Sequence, residues 1–76
     1  MKLPLVDRQK MVKILKHNGF KPIRQRGSHI QLQDSKSRIV TIPLHGVRLI
    51  GRGLLRKILR DSEKSREEYI KLRKIS

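Results

Sequence analysis

Between positions 20 and 44 the chain alternates apolar and polar residues in three short runs, at about 20–26, 29–34 and 38–44. Gly27-Ser28 breaks the first from the second, and Asp34-Ser35-Lys36-Ser37 the second from the third. A period of two cannot hold an apolar stripe on a helix, and both breaks carry residues that tight turns use. Two hairpins of an antiparallel sheet are the economical solution. Successive side chains of a strand point to opposite faces, so parity assigns the sides. Ile23, Ile30, Leu32, Val40, Ile42 and Leu44 are expected on one face; Arg24, Arg26, His29, Gln31, Gln33, Thr41 and His45 are expected on the other. Phe20 and Ile39 fall on the polar side by strict alternation, and a bulge or a strand end is needed to absorb them.

Helical spacing brackets these runs. Asp7 has N-cap chemistry ahead of Met11, Val12, Ile14 and Leu15, which share one face, and Asn18-Gly19 supplies a left-handed stop. Beyond a loop at 46–53 that holds Gly46, Gly51 and Gly53, the spacing of Leu54, Leu55, Ile58 and Leu59 predicts a second helix to about Asp61. Ser65 and Glu68 have capping-box spacing, and Tyr69, Leu72 and Ile75 follow at intervals of three, predicting a third, basic helix. The expected fold class is α+β in the order α-β-β-β-α plus an extra C-terminal helix. Its three-stranded antiparallel sheet has helices on one face and leaves the other open. We expect one domain over 1–76, with a core at about 6–61 and a basic helical extension at 62–76.

A chain of 76 residues with Phe20 and Tyr69 as its only aromatics must build its core from Leu, Ile and Val, and has no room for a large enclosed site. Function is therefore expected on an open surface. No cysteine is present, which excludes disulfides, thiolate zinc sites and cysteine nucleophiles and suits a reducing compartment. Without a signal-like or membrane-length apolar run, the expectation is a cytoplasmic protein. The 20 Lys and Arg outnumber 6 Asp and Glu, for a net charge of +14. Such an excess points to a polyanion, nucleic acid first, because each phosphate neutralised releases a counterion. An acidic protein partner is the other reading of the same charge. Lys10, Lys13 and Lys16, and the tail with Lys64, Arg66, Lys71, Arg73 and Lys74, need be no more than solvated basic faces.

Asp7 is expected at a helix cap, Asp34 in a turn, and Asp61, Glu63, Glu67 and Glu68 near or beyond the second helix, so the several converging carboxylates that hard cations require for phosphodiester cleavage are missing. His17, His29 and His45 lack a metal-binding pattern, and no metal or other cofactor is expected. RNA can still be cut without a metal, since its 2′-hydroxyl is a built-in nucleophile and the protein need supply only proton transfer and cations. His29 shares its predicted face with Arg24 and Arg26, whose guanidinium forks match phosphate oxygens. From the residues alone, three readings of His29 stay open: a solvated surface residue, a passive RNA contact and a proton-transfer group. Ser28 reads as a turn hydroxyl or as a phosphate or imidazole contact, His45 as an ordinary loop histidine or as a second proton-transfer group on the open face, and Gly27 as the positive-φ residue of the turn. His17, near the end of the first helix, needs no more than a dipole interaction.

Asn18-Gly19-Phe20 after the first helix, "RQRGSH" at 24–29, "VTIPLH" at 40–45 and "GLLRKIL" at 53–59 together resemble the HicA-type toxin family, over about Val6 to Asp61. The resemblance implies a double-stranded-RNA-binding-domain-like fold, an mRNA-cleaving endoribonuclease activity with His29 in the catalytic position, and a HicB-type antitoxin that covers the active surface. On this reading Arg24, Arg26, Gly27, Ser28, Gln31, Lys36, Arg38, His45 and Arg52 are the candidate RNA contacts. Two departures stand out: Leu54 occupies a position where many relatives carry a Thr that caps the second helix, and the basic segment after Asp61 is longer than in compact members. The competing function is a noncatalytic RNA-binding module of the same fold. A third class is a basic subunit whose main work is to bind an acidic partner.

Overall fold

A computed structural model describes residues 3–46 and 48–75; Val47, in the expected glycine loop, lies outside them. The element order is α1 (Arg8–His17), β1 (Lys21–Arg26), β2 (His29–Gln33), β3 (Ile39–Pro43), α2 (Arg52–Asp61) and α3 (Arg66–Ile75). The strands form one antiparallel sheet in the order β1-β2-β3. The α+β architecture expected from the periodicities, extra C-terminal helix included, is the one observed.

The predicted helix ends are present in atomic detail. Asp7 Oδ1 accepts from the Lys10 backbone N–H at 2.7 Å, and Gly19 closes α1 with φ of 86°. Gly51 occupies the N-cap of α2 without a side-chain hydrogen bond, since glycine has no side chain to accept one. At α3 the capping box is reciprocal: Glu68 N–H donates to Ser65 Oγ, and Ser65 N–H donates to Glu68 Oε1 at 2.9 Å.

On the inner face of the sheet, Ile30 pairs with Ile42 and Leu32 with Val40; all four are buried. α1 and α2 pack on β3 and α3 packs on α1. Met11, Ile14, Leu15, Leu55, Ile58 and Leu59 fill the space between, together with Phe20 and Tyr69. Phe20 reaches the core because it precedes β1 and escapes the strand's alternation. Ile39 keeps its parity, pairs with Gln33 on the outer face and stays exposed.

Three apolar residues do not go where the pattern sends them. Ile23 is half exposed at 50%: the β1–β2 register slips between Pro22 and Arg24, leaving it as the unpaired residue of a bulge on an edge strand. Leu44 is 37% exposed because β3 ends at Pro43, and Ile75, at the free end of α3, is 73% exposed. His45, one residue beyond Leu44, sits in a bend, so strand parity does not govern it.

Candidate functional site

The open face of the sheet is set by the strand register. Antiparallel partners share a face, so three cross-strand rows can be read directly. Arg26, His29 and Pro43 form the first, Arg24, Gln31 and Thr41 the second, and Lys21, Gln33 and Ile39 the third. The bulge decides the last row. Strict alternation back from Arg24 would turn Lys21 to the inner side; the extra residue at Ile23 returns it to the outer one. Lys21 is the basic residue that sequence parity misses, and only knowledge of the bulge recovers it.

Arg24, Arg26, His29, Gln31 and Thr41 line one shallow recess of about 310 Å³. Both arginines and His29 are exposed, while Gln31 and Thr41 are partly buried. Among the described residues, no ion pair engages either guanidinium and no side-chain hydrogen bond holds His29. Gly27 makes the preceding turn with φ of 54°, and nothing lies within 4 Å of where its Cβ would be. Ser28 holds the turn against the end of β3, its carbonyl accepting from the Leu44 N–H. The hairpin thus carries His29 at the start of β2, beside free cations and open to solvent.

Other expected contacts lie elsewhere. Arg38 is clamped in the second turn, where its Nε donates to Asp34 Oδ2 at 2.6 Å and its guanidinium approaches Glu63 at 3.8 Å, on the helix side of the sheet. Burial opposes ionisation of Asp34, but the Arg38 side-chain hydrogen bond, backbone N–H donors and the guanidinium charge outweigh it and hold the carboxyl below its ordinary pKa. Lys36 is exposed in the same turn, its N–H donating to Asp34. Arg52 ties the start of α2 to the N-terminal segment through a 2.8 Å hydrogen bond to the Leu3 carbonyl. His45 is exposed beyond β3 and does not line the recess. Thr41 does line it; parity had placed Thr41 on this face, but its short hydroxyl side chain drew no role. Among the described residues, no three His, Asp or Glu side chains converge as a metal site would require. No helix among them is long and apolar enough to cross a membrane.

The fold and this face define a small, strongly basic α+β domain with one open sheet surface and a histidine among uncommitted arginines. The chain belongs to the HicA toxin family of bacterial toxin-antitoxin systems, whose model matches residues 8–63, from the first residue of α1 to just past α2. That membership gives it the toxin's role and implies an antitoxin partner. No curated protein matches the chain.

Proposed function

We propose that the protein is an endoribonuclease, an mRNA interferase that needs no metal and cleaves through His29, and that a HicB-type antitoxin neutralises it. The observation that carries this reading is the shared recess of Arg24, Arg26, His29 and Gln31 on the open sheet face. In the proposed reaction, neutral His29 takes the proton of an RNA 2′-hydroxyl, the 2′ oxygen bonds to phosphorus, and the bond from phosphorus to the 5′ oxygen breaks. The products are a 2′,3′-cyclic phosphate and a 5′-hydroxyl, the latter protonated by the imidazolium just formed or by water. Arg24 and Arg26 neutralise the charge that builds on the phosphorane oxygens. Gly27 keeps the approach to the phosphate free of a side chain.

The test is RNA cleavage in EDTA by the wild type and by His29→Ala. The wild type should cut, leaving cyclic phosphate ends, while the variant loses at least about 100-fold in rate, the scale of a proton-transfer group. Activity abolished by chelation, or retained in the variant, rejects the mechanism. The alternative, a noncatalytic RNA-binding module, predicts salt-sensitive binding without turnover by either protein.

A further inference from the structure

Taken down the strands, the three rows of the open face become three columns of different chemistry. The β1 column is cationic, the β2 column ends in side-chain amides beyond His29, and the β3 column is apolar or weakly polar. The same order, cation, then polar reader, then apolar or weakly polar neighbour, repeats in every row. Gln31 and Gln33 are partly buried, yet neither side-chain amide makes a hydrogen bond among the described residues. A partly buried amide with a free acceptor and two free donors has much to gain from a partner. Ile39, beside Gln33, is 46% exposed and offers an apolar surface against which a base can rest.

We propose that an unpaired RNA strand lies along β2, its phosphates over the β1 cations and its bases over the β2 and β3 columns. Lys21 then holds a phosphate at one end, and Gln31 and Gln33 read the bases next to, and next but one from, the nucleotide at His29. The inference rests on the ribonuclease reading only for placing the scissile phosphate at His29. Alternate residues of a strand stand about 6.8 Å apart, so His29, Gln31 and Gln33 form a line whose step is comparable to that between nucleotides of an extended strand. A duplex suits the arrangement poorly, because side chains cannot read the base edges in its deep, narrow major groove and its shallow minor groove is recognised mostly by shape and 2′-hydroxyls, with little base identity for glutamines to read. In an unpaired strand those edges are open, and an amide meets a donor and an acceptor side by side.

Binding of short single-stranded RNAs, varied at one base at a time and measured by fluorescence anisotropy, tests this in a His29→Ala background that prevents turnover. Lys21→Gln should weaken every sequence by the same factor and lower the log–log salt slope by about 0.7, the loss of one phosphate contact on a single strand. Gln31→Ala should leave that slope unchanged and remove about tenfold of base discrimination at one position, and Gln33→Ala should do so one nucleotide further along. Gln31→Glu, whose carboxylate only accepts, should move the preference towards bases with exocyclic amino groups and away from uracil. A base ranking unchanged in both Gln31→Ala and Gln33→Ala, or a salt slope unchanged in Lys21→Gln, overturns the proposal. Cleavage in EDTA is scored separately. A protein that binds as described but never cuts refutes the ribonuclease reading alone, and one that cuts while Gln31→Ala and Gln33→Ala both keep the parent's ranking refutes the strand path alone.

Discussion

Asp34 closes the second hairpin with both of its carboxylate oxygens. Its carboxylate accepts from the backbone N–H groups of Lys36 and Arg38 and from the Arg38 side chain, closing a turn in which Ser37 sits at a φ of 63°. Because its folded pKa is depressed, the stabilisation is fully present above the unfolded value of about 3.9 and is lost as pH falls through the lower folded value. Asp34→Asn keeps a carbonyl acceptor but loses the ion pair, so its melting temperature at neutral pH should be lower than the wild type's. Circular-dichroism melts from neutral pH into acid should show the gap closing as the wild-type carboxylate protonates; a constant gap would mean that the charge of Asp34 contributes nothing. The same residue shows what single positions conceal in a sequence. Asp34 is legible as a turn residue, but that it would recruit Arg38, and so take a cation from the candidate RNA surface, depends on a salt bridge across the turn that spacing does not reveal.

At the scale of elements, α3 is the piece whose role is least obvious from the pattern. Its capping box was readable at Ser65 and Glu68, yet a basic helix after a complete α-β-β-β-α unit looks detachable. Tyr69 makes it part of the core: it is 1% exposed, and its hydroxyl donates to the Pro4 carbonyl. Burial pushes the Tyr69 phenol up in pKa, with Arg73 opposing, so it stays a donor at neutral pH. Tyr69→Ala should cost about 3–5 kcal/mol, enough to unfold much of a domain this small, whereas Tyr69→Phe should cost about 1 kcal/mol for the lost hydrogen bond. Chemical denaturation of both variants measures the difference; two equal, small costs would show α3 to be dispensable. Just before α3, Glu63 follows the α2 C-cap with a φ of 55°, the position that favours glycine. Glu63→Gly should therefore raise stability by about 1 kcal/mol, as relief of the left-handed strain exceeds the value of a surface ion pair to Arg38. The strands were legible for a different reason. Ile30, Leu32, Val40 and Ile42 alternate cleanly because a helix layer covers them on one side, whereas β1 has no such cover and its pattern is blurred by the bulge. Alternation follows burial, and an edge strand that buries little carries a weak record of its own register.

For the whole molecule, the charge of +14 acts on stability and on binding in opposite senses. Asp34 and Glu63 pair with Arg38, and Asp61 with Lys57, while among the described residues Lys21, Arg24 and Arg26 on the open sheet face have no carboxylate partner. The cationic excess was the plainest fact in the sequence; the part of it that lies on the open sheet face was legible only as far as parity held, through Arg24 and Arg26 but not Lys21. Like charges within a domain whose radius of gyration is 11.4 Å repel across distances comparable to the Debye length of about 10 Å at 0.1 M salt. Raising salt towards about 1 M shortens that length to about 3 Å and removes most of the repulsion, so the melting temperature of the free protein should rise. RNA affinity should fall over the same range, because counterions released on binding must enter a more concentrated solution. Parallel melts and anisotropy titrations across one salt series check both trends. The two trends having opposite signs is the expected result; melting temperature and RNA affinity falling together would mean that surface ion pairs, and not self-repulsion, dominate the electrostatics of the fold. At low salt, then, a polyanion that covers the sheet face should stabilise the protein twice, by binding only the folded state and by neutralising the charges that oppose it. A partner that brings acidic side chains onto that face would act in the same way, by binding the folded state and by neutralising its charge.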